Sequence, residues 1–354
     1  MSNFIVTAYA ASNVGNKRQN NEDNFYINKE SVNSKNDVHS ALFKGNAFVG
    51  AVCDGMGGEE AGEVASQLAV ETIQQYENKI IASNFSDEVI NELIFEANDK
   101  ICNEINRIKK RMGTTFAFVG INSCDVVVSN VGDSRVYRLS NSKLEQISHD
   151  HTEAQSMVDA GMISKEESMK IKQKHRLTQH LGIFPYEMII EPYIVRIPAK
   201  IGDRFLLCSD GLTDMVSENE IESILNSRDS LKNTVDRLIS KALENGGKDN
   251  VTVMLCEIEL NSEAPFVCEE TAIPKQAQPT EKLALQKYDF STKRNATNQS
   301  MLIKILLVVV ILLSIAIAVI GINIKSSNKN NKASTKDSVT TSTSVLNKTL
   351  VKET

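Results

Sequence analysis

Four aspartates in this chain of 354 residues share one setting, because each lies at the end of an apolar run and beside a glycine or asparagine. Any one of these pairs is a common turn. Together they would repel one another strongly in one place unless a cation neutralised them, and all-oxygen ligands select Mg²⁺ or Mn²⁺ over zinc. The spacing therefore predicts a divalent-cation site if the loops converge. The pairs are Asp54-Gly55, Gly132-Asp133, Asp210-Gly211 and Asp249-Asn250, and Glu22-Asp23 adds a further acidic loop.

The stretch from Val49 to Gly62 shows the pattern most clearly. An apolar run ending at Cys53 predicts a strand, and Asp54 follows it directly. The glycines at 55, 57 and 58 predict a turn, and the spacing of apolar residues from 61 onward predicts a helix. Chemistry is often mounted at such a place, because the strand holds one residue rigidly while glycines allow ligands to approach the backbone.

The elements around these loops predict an α+β domain. Long helical segments stand between runs of strands without the βαβ alternation of a parallel sheet, which favours a layered arrangement. Residues 29–45 are polar and turn-rich, as at a hairpin tip, and residues 149–182 are polar with helical character, as in a surface subdomain beside the site. Strands are predicted at 4–12, 24–28, 115–121, 125–131, 135–140, 188–197, 203–208 and 251–258, and helices at 59–78, 86–110, 218–226 and 229–244.

Composition limits the function classes. The formal charge of -6, without a basic stripe, argues against nucleic-acid binding. The six cysteines are scattered, with no C-x-x-C pair, and most lie in apolar runs, which indicates buried free thiols in a reducing compartment. The first residues lack a convincing signal peptide, so the N-terminal body is expected in the cytoplasm.

The C-terminal quarter has a different character. Residues 1–260 read as the folded domain, and residues 261–300 read as a disordered linker. Residues 303–324 are almost wholly apolar and long enough for a single transmembrane helix; a buried core helix is the alternative, but it is less expected after a linker. Residues 325–354 form a disordered tail rich in Lys, Ser and Thr.

Two features of the sequence favour opposite orientations of the domain relative to the membrane. Positive charge after the span weakly favours a tail on the inside, which would place the domain outside. The missing export signal and the unpaired cysteines favour a cytoplasmic domain, and we give them more weight. The prediction is a single-pass protein of the cell membrane with a cytoplasmic catalytic domain.

Six short motifs carry a family resemblance over about residues 4–260. In order they are R-x-x-N-E-D, D-G-M-G-G, M-G-T-T, G-D-S-R, S-D-G-L-T-D and G-x-D-N. The sequence resembles the metal-dependent serine/threonine protein phosphatases of the protein phosphatase 2C type. The resemblance is closest to their compact bacterial members, and with the apolar segment it predicts a bacterial membrane-anchored member. The resemblance implies a four-layer α-β-β-α sandwich with a central pair of antiparallel β-sheets, to which this chain adds a C-terminal transmembrane helix.

The same resemblance assigns roles to individual residues. Asp54 would bridge two Mn²⁺ or Mg²⁺ ions, and Gly55 would offer its backbone carbonyl to one of them. Asp210 and Asp249 would bind the other ion. Arg18 would grip the substrate phosphate, to which its planar guanidinium is suited.

Further positions match supporting parts of the family site. Glu22 and Asp23 would hold metal-bound waters from just outside the metal ligands. Asp133 with Asp210 matches a third, weaker metal site, for which Asp214 is a further candidate ligand. Residues 150–182 match the flap that shapes substrate access.

The implied reaction is hydrolysis of phosphoserine and phosphothreonine monoesters in proteins by a metal-activated water at a binuclear Mg/Mn centre. Met56 stands where some relatives carry a histidine proposed as proton donor to the leaving alcohol. The donor is therefore open between water and a histidine of the flap. The implied partners are phosphoproteins and a cognate serine/threonine kinase in bacterial signalling.

Two readings from other classes compete with an enzyme. A catalytically dead module that recruits phosphoproteins is disfavoured because Asp54, Asp210 and Asp249 are all present. A structural Ca²⁺-binding protein is disfavoured because the acids lack the D-x-D-x-D-G loop spacing.

Overall fold

Two antiparallel sheets of six strands each organise the part of the chain that this computed structural model describes, residues 4–28, 30–32, 38–57, 61–171, 174–227 and 229–261. The strands are β1 (Phe4–Asn13), β2 (Asn24–Ile27), β3 (Glu30–Val32), β4 (Val38–Gly45), β5 (Phe48–Cys53), β6 (Gly55–Met56), β7 (Gly113–Thr114), β8 (Phe116–Ile121), β9 (Asp125–Val131), β10 (Arg135–Ser140), β11 (Lys143–Gln146), β12 (Tyr193–Pro198), β13 (Arg204–Cys208) and β14 (Val251–Leu260). One sheet has the order β11-β10-β13-β14-β1-β4, and the other has the order β12-β9-β8-β5-β2-β3.

Helices cover the outer faces of the two sheets. Two of the long ones begin at serine N-caps that accept a backbone N–H of the first turn, as Ser86 does from Val89 and Ser230 does from Asn233. The helices are α1 (Ala61–Ala82), α2 (Asp87–Ile108), α3 (Glu153–Asp159), α4 (Lys165–Ser168), α5 (Asp210–Thr213), α6 (Glu218–Leu225) and α7 (Leu231–Glu244).

Three hydrophobic clusters establish four layers. The central cluster joins the facing sides of the two sheets, as where Val6 and Phe205 pack with Phe48 and Val128. A second cluster packs α1 and α2 on the sheet that contains β5 and β8, and a third packs α6 and α7 on the sheet that contains β13 and β14. Both faces of each sheet are therefore covered, and the central strands β5, β8 and β13 are nearly continuous apolar runs. The predicted α-β-β-α arrangement is what the described residues adopt.

Strand register brings the acidic loops to one end of both sheets. Asn24 pairs with Cys53 at the end of β5, and Cys208 pairs with Val253 near the start of β14. In the same way Phe116 pairs with Val131 at the end of β9. The loops that follow or precede these pairs leave the sheets at a common edge.

Two sequence predictions of elements were wrong. Residues 38–45, expected in a hairpin tip, form β4 and pair with β1 from Val6↔Gly45 to Asn13↔Val38. The strand expected at 188–197 begins only at Tyr193. The residues before it, 182–190, run back along α2, where the Asn98 side chain donates to the Ile183 carbonyl. Local composition did not reveal either, since both depend on a partner that is distant in sequence.

The described residues contain no helix that is long and apolar enough to cross a membrane. The predicted linker, span and tail lie outside the described residues apart from Asn261, as do Gly58, Glu59 and Glu60 of the opening stretch.

Candidate metal and phosphate site

Asp54 is held by the backbone at the end of a fully buried strand. All six residues of β5 are buried, and Asp54 follows them. Its backbone N–H donates to Thr115 Oγ1 at 2.9 Å. Its carbonyl accepts from the Thr114 hydroxyl and from the Thr115 N–H, both at 2.9 Å. These threonines belong to the M-G-T-T motif, so the motif fixes the main chain on which the central carboxylate stands.

Asp210 and Asn250 lie in two loops that touch. A Cβ placed on Gly211 would lie 1.9 Å from the backbone oxygen of Asn250, so the loops could not pack this closely with any other residue at 211. Ser209 reinforces the contact, because its N–H donates to the Thr252 carbonyl at 3.1 Å and its hydroxyl accepts from the Thr252 N–H at 3.0 Å. Glycine after the aspartate is thus required by packing.

Arg18 is placed by the loop that carries Asp249. Its Nη2 donates to Asp249 Oδ2 at 2.7 Å. The side chain of Asn250 joins the two loops, since its Nδ2 donates to the Asn20 carbonyl at 2.9 Å and its Oδ1 accepts from the Glu22 N–H at 2.8 Å. The R-x-x-N-E-D and G-x-D-N motifs are therefore one structural unit at the mouth of the site.

Asp133 stands in the turn between β9 and β10. Gly132 takes φ +101° there, and a Cβ at this position would lie 2.8 Å from the Thr115 side chain. The hydroxyls of Ser134 and Thr115 lie 2.7 Å apart, which links this turn to the one that holds Asp54. The Asp133 side chain is buried and its Oδ2 lies 3.1 Å from Nδ1 of His175.

Asp23 lies beneath the site rather than in it. It is fully buried, and its Oδ2 accepts from the Ser209 hydroxyl at 2.8 Å and from the Thr252 hydroxyl at 2.7 Å. Burial raises the pKa of Asp23 to about 6. It braces the strands that carry Asp210 and Asn250, whereas Glu22 beside it faces the cavity.

A single cavity of about 1040 Å³ collects these groups. Its floor is acidic, its mouth carries Arg18 and Lys110, and the flap contributes one side. Its lining comprises Arg18, Gln19, Asn20, Glu22, Asp54, Gly55, Met56, Gly57, Lys110, Thr115, Asp133, His175, Leu177, His180, Asp210, Asp249 and Asn250.

The carboxylates on the floor raise one another's pKa values. Burial raises the pKa of Asp54 well above its usual range, and the charges of Asp23 and Asp210 raise it further. Burial likewise raises the pKa of Asp210 to about 7, with the charge of Asp133 adding to it. Carboxylates that repel one another in this way are stabilised when positive charge is brought among them. The donor set, carboxylate oxygens at Asp54, Asp210 and Asp249 with the Gly55 carbonyl at hand, fits hard divalent cations.

His175 enters this cluster from the flap. Its Nδ1 lies 3.1 Å from Asp133 Oδ2 and 3.4 Å from Asp210 Oδ2, and its Nε2 lies 2.9 Å from Asp214 Oδ1. Hydrogen bonds with Asp133 and Asp214 raise the pKa of His175 to about 10. Asp133, His175 and Asp210 could together hold a cation, with ligand atoms all within 4.8 Å of one another.

Asp214 lies on the far side of His175, in the lining of a neighbouring cavity of about 350 Å³ under the flap. Lys174 Nζ is 2.7 Å from it. Burial raises the pKa of Asp214, but hydrogen bonds from His175 and Lys174 outweigh that effect and lower it to about 2. Asp214 is therefore connected to the acidic floor of the cavity indirectly, through the imidazole of His175.

The remaining flap histidines have separate surroundings. His180 lines the cavity, and its Nδ1 donates to the Leu181 carbonyl at 2.8 Å, because a carbonyl oxygen can only accept. His149 Nε2 lies 2.9 Å from Asp159 Oδ2 at the surface, and His151 Nδ1 accepts from the Gly132 N–H. Of the flap histidines, His175 and His180 reach the cavity.

The cysteines beside the acids are packing residues. Cys53 and Cys208 are buried, and burial raises the pKa of the Cys208 thiol to about 12. A thiol with that pKa is a poor nucleophile at neutral pH. Cys102 and Cys256 are also buried. Cys124 is exposed, and among the described cysteines it is the one that departs from the expected buried thiol.

Most of the predicted site residues meet in one place. Arg18, Glu22, Asp54, Gly55, Asp133, Asp210 and Asp249 all line the cavity. Sequence reasoning missed Thr115, His175 and Lys110 as individual site residues. The M-G-T-T motif could have signalled Thr115, but nothing in the local pattern distinguishes His175 or Lys110 from an exposed polar residue.

Comparisons with known proteins agree with this geometry. The sequence model of the family described as protein phosphatase 2C matches residues 30–255. The chain belongs to the protein phosphatase 2C family. The serine/threonine phosphatase stp of Listeria monocytogenes is 36% identical over 243 residues, which cover 67% of this chain and 95% of that protein.

Solved structures share the fold. The serine/threonine phosphatase PstP/Ppp of Mycobacterium tuberculosis is 32% identical with a TM-score of 0.60, covering 72% of this chain and 99% of that one. The catalytic domain of PstP, solved in complex with two manganese ions, is 30% identical with a TM-score of 0.57 over 72% of this chain and 99% of that one. The predictions of an α+β protein phosphatase 2C fold and of a metal-dependent serine/threonine phosphatase are confirmed.

Proposed function

We propose that this protein hydrolyses phosphoserine and phosphothreonine monoesters in proteins at a binuclear Mn²⁺ or Mg²⁺ centre. The observation that carries the proposal is the convergence of Asp54, Asp210 and Asp249 with Arg18 in one cavity. The two ions in the PstP structure support the same metal count here.

The chain's own residues divide the work. Asp54, the Gly55 carbonyl, Asp210 and Asp249 would hold two cations, and Asp133 and Asp210 would hold a third, which His175 could join only after it releases its ring proton. When bound, such cations activate water as a nucleophile and neutralise charge on phosphoryl oxygens. Arg18 lines the same cavity, and its bond to Asp249 uses one of the five N–H donors of a guanidinium, so it would bind the phosphoryl oxygens with others as they gain charge.

The leaving alcohol would receive its proton from a flap histidine or from water, because the side chain of Met56 has no proton to donate. Both ring nitrogens of His175 face aspartates, Nδ1 towards Asp133 and Asp210 and Nε2 towards Asp214, so neither is directed at a leaving alcohol. His180, with Nδ1 bonded to a carbonyl, leaves Nε2 as the atom that can exchange a proton. A changed alkaline limb in the pH profile of kcat for His180→Gln would support His180 as the donor.

The direct test is phosphate release from a phosphothreonine peptide by the full-length chain in detergent with Mn²⁺. Chelation and Asp54→Asn are each expected to lower kcat by at least about 10³-fold, since both remove the means of activating water. Asp99→Asn, an exposed acid on α2, is the matched control and is expected to keep its activity. Turnover that survives chelation would refute the mechanism, and Mn²⁺ binding without turnover would favour a binding module.

Arg18 has its own test. Arg18→Ala is expected to raise KM for the phosphopeptide by about tenfold or more, and Arg18→Lys is expected to recover only part of that loss, because lysine lacks the planar fork. Arg107→Ala is the control, since Arg107 pairs with Glu104 on the surface of α2.

Membrane attachment and a kinase partner belong to the same proposal. We place the catalytic domain in the cytoplasm on a single span at 303–324, where it would oppose a serine/threonine kinase. Reporter fusions at residue 354 test the topology. An outside signal supports this orientation, and an inside signal with the domain protected from external protease reverses it.

A further inference from the structure

Asn16 joins the loop that carries Arg18 to the end of helix α7. Its Nδ2 donates to the Leu243 carbonyl at 2.8 Å and to the Gly246 carbonyl at 3.3 Å. Its backbone N–H donates to the Gly247 carbonyl at 2.7 Å. The last carbonyls of a helix have no partner in a following turn, so a side-chain amide is well suited to bind them. The Arg18 loop is thereby bound to the chain that leaves α7.

The backbone around Asn16 leaves room for this contact. Gly247 takes φ +51°, and a Cβ on it would lie 2.8 Å from Asn16 Nδ2, so glycine there keeps open the space that the amide fills. A Cβ on Gly15 would lie 2.1 Å from the Asp249 backbone oxygen. The two loops therefore meet in close main-chain contact, and the Asn16 amide extends that contact to α7.

Asn250 fastens the two ends of the same loop. Its Nδ2 donates to the Val14 carbonyl at 3.0 Å and to the Asn20 carbonyl at 2.9 Å. Asn16 binds the stretch between those ends, two residues before Arg18. If the Asn16 side chain were truncated, the ends of the loop would stay in place and the middle, with Arg18, would be freer to move.

The position of this loop matters because the phosphoryl group needs two kinds of partner at once. Arg18 Nη2 donates to Asp249 Oδ2 at 2.7 Å, so the guanidinium stands beside a proposed metal ligand. A phosphoryl group would contact both the guanidinium and the cations that Asp249 helps to hold. A guanidinium that is already in place binds more tightly, because less freedom is lost when the substrate arrives.

We infer that Asn16 is a positioning residue for phosphate binding, which acts through Arg18 and does not itself line the cavity. The inference rests on the proposed function, because it concerns how that same site holds its substrate. Asn16→Ala keeps the main-chain bond to Gly247 and removes the amide alone. This variant is expected to raise KM for a phosphothreonine peptide and Ki for inorganic phosphate together by about fivefold, the factor that one hydrogen bond is worth, with little change in kcat.

A double-mutant cycle separates positioning from a general structural role. KM and Ki are measured for the full-length chain in detergent with Mn²⁺, in the wild type, Asn16→Ala, Arg18→Ala and the double variant. If Asn16 acts through Arg18, its truncation is expected to leave both constants unchanged once Arg18 is absent. A rise of the same factor in both backgrounds would overturn the inference, because it would not pass through Arg18.

Asn245→Ala is the matched control. Its Nδ2 donates to the Met215 carbonyl at 2.7 Å, so it removes an amide bond from the same end of α7 but toward another loop. It is expected to lower the urea midpoint about as much as Asn16→Ala does and to keep the wild-type KM and Ki. An equal rise of KM in both variants would assign the effect to the helix end and reject the role of Asn16.

A second variant keeps the inference testable if Asn16→Ala does not fold. Asn16→Ser retains a polar side chain that is too short to span the bond to Leu243, and it is expected to raise KM and Ki as the alanine variant does. Unchanged constants in both folded variants, or in the serine variant alone if it is the one that folds, reject the role of Asn16 alone. Failure of the wild type to turn over the peptide rejects the proposed function instead.

Discussion

Gly132 and His151 hydrogen-bond to each other in both directions. The Gly132 N–H donates to His151 Nδ1 at 3.2 Å, and the His151 N–H donates to the Gly132 carbonyl at 2.9 Å. The first bond needs an unprotonated Nδ1. The start of the flap is thereby bound to the turn that carries Asp133, and the bond holds only for the neutral ring.

This relationship predicts how stability depends on pH. Burial lowers the pKa of His151 below its ordinary 6.5, so the unfolded chain takes up the proton first as pH falls. The contribution of His151 is present above pH 6.5 and is lost as pH falls through the folded-state pKa. In urea unfolding with a chelator, from pH 8 to pH 5, His151→Asn is expected to lack this part of the wild-type decline.

His149→Asn is the control for that experiment, because His149 lies at the surface against Asp159. Because the charge of His149 also lowers the pKa of His151, though less than burial does, this variant is expected to keep most of the wild-type decline. A wild-type decline that persists unchanged in His151→Asn would show that the bond to Gly132 is not its source.

Asp54→Asn is expected to stabilise the metal-free protein while it abolishes activity. Burial raises the pKa of Asp54, so its carboxylate lowers the folding stability at every pH above its unfolded value, and a neutral amide removes that cost. With chelator at pH 8, thermal unfolding of the variant is expected at a higher temperature than for wild type.

Added Mn²⁺ is expected to reverse the order. Saturation to about 100 times Kd stabilises the wild type by about 2.7 kcal/mol, and the variant gains little because it lacks the bridging ligand. A rise in Tm of Asp54→Asn with Mn²⁺ equal to that of wild type would contradict the assignment of Asp54 as a ligand.

Gly211→Ala is expected to destabilise the protein by about 1–3 kcal/mol, the usual cost of overpacking. The added Cβ would meet the Asn250 carbonyl carbon and oxygen, which are backbone atoms that cannot move aside singly. Because Asp210 and Asp249 flank this contact, Mn²⁺ affinity by calorimetry is expected to fall as well.

Gly161→Ala separates packing from backbone strain. Gly161 has φ +66° with nothing within 4 Å of a Cβ, so only the strain of the left-handed region remains, about 1–2 kcal/mol. Mn²⁺ affinity should be kept in this variant. Equal loss of affinity in both would indicate a global effect.

Asn98→Ala is expected to loosen the segment that returns from the flap. The buried Asn98 Oδ1 accepts from the N–H of Gly182 at 2.7 Å and of Ile183 at 3.2 Å, while its Nδ2 donates to the Ile183 carbonyl at 3.0 Å. Truncation leaves these groups without their partner, at a cost of about 2–3 kcal/mol. Urea unfolding measures the loss.

Hydrogen exchange then locates the effect, which is expected at residues 181–184. Asn91→Ala on the same helix is the control, because its amide bonds the helix's own Asp87 carbonyl at 2.8 Å. A stability loss as large in Asn91→Ala would assign the effect to helix propensity instead.

Much of the fold could be predicted from the sequence, because its signals are local. The apolar runs of β5, β9 and β13 are buried strands, and α2 begins and ends within a few residues of the expected positions. Strand β4 was missed because its polar sequence forms a strand only by pairing with β1. A periodicity argument cannot detect a strand whose pattern is set by a distant partner.

For the site, the sequence by itself determined which residues are available and to which family they belong. Six motifs in order are specific because each meets a requirement of the local backbone. Gly211, for example, allows two loops to touch. Only the tertiary structure decided which carboxylates face the cavity, since Asp23 turns inward to Ser209 and Thr252 while its neighbour Glu22 faces out.

The tertiary structure also decided which basic side chains reach the site. His175 meets Asp133 and Asp210 across 42 and 35 residues of chain, and Lys110 reaches the rim through the end of a helix whose sequence shows only a basic run. The physical reason is that a lone charged side chain carries no local signal of its partner. Motifs record short-range backbone requirements, whereas electrostatic partners are brought together only when the sheets and flap close on one another.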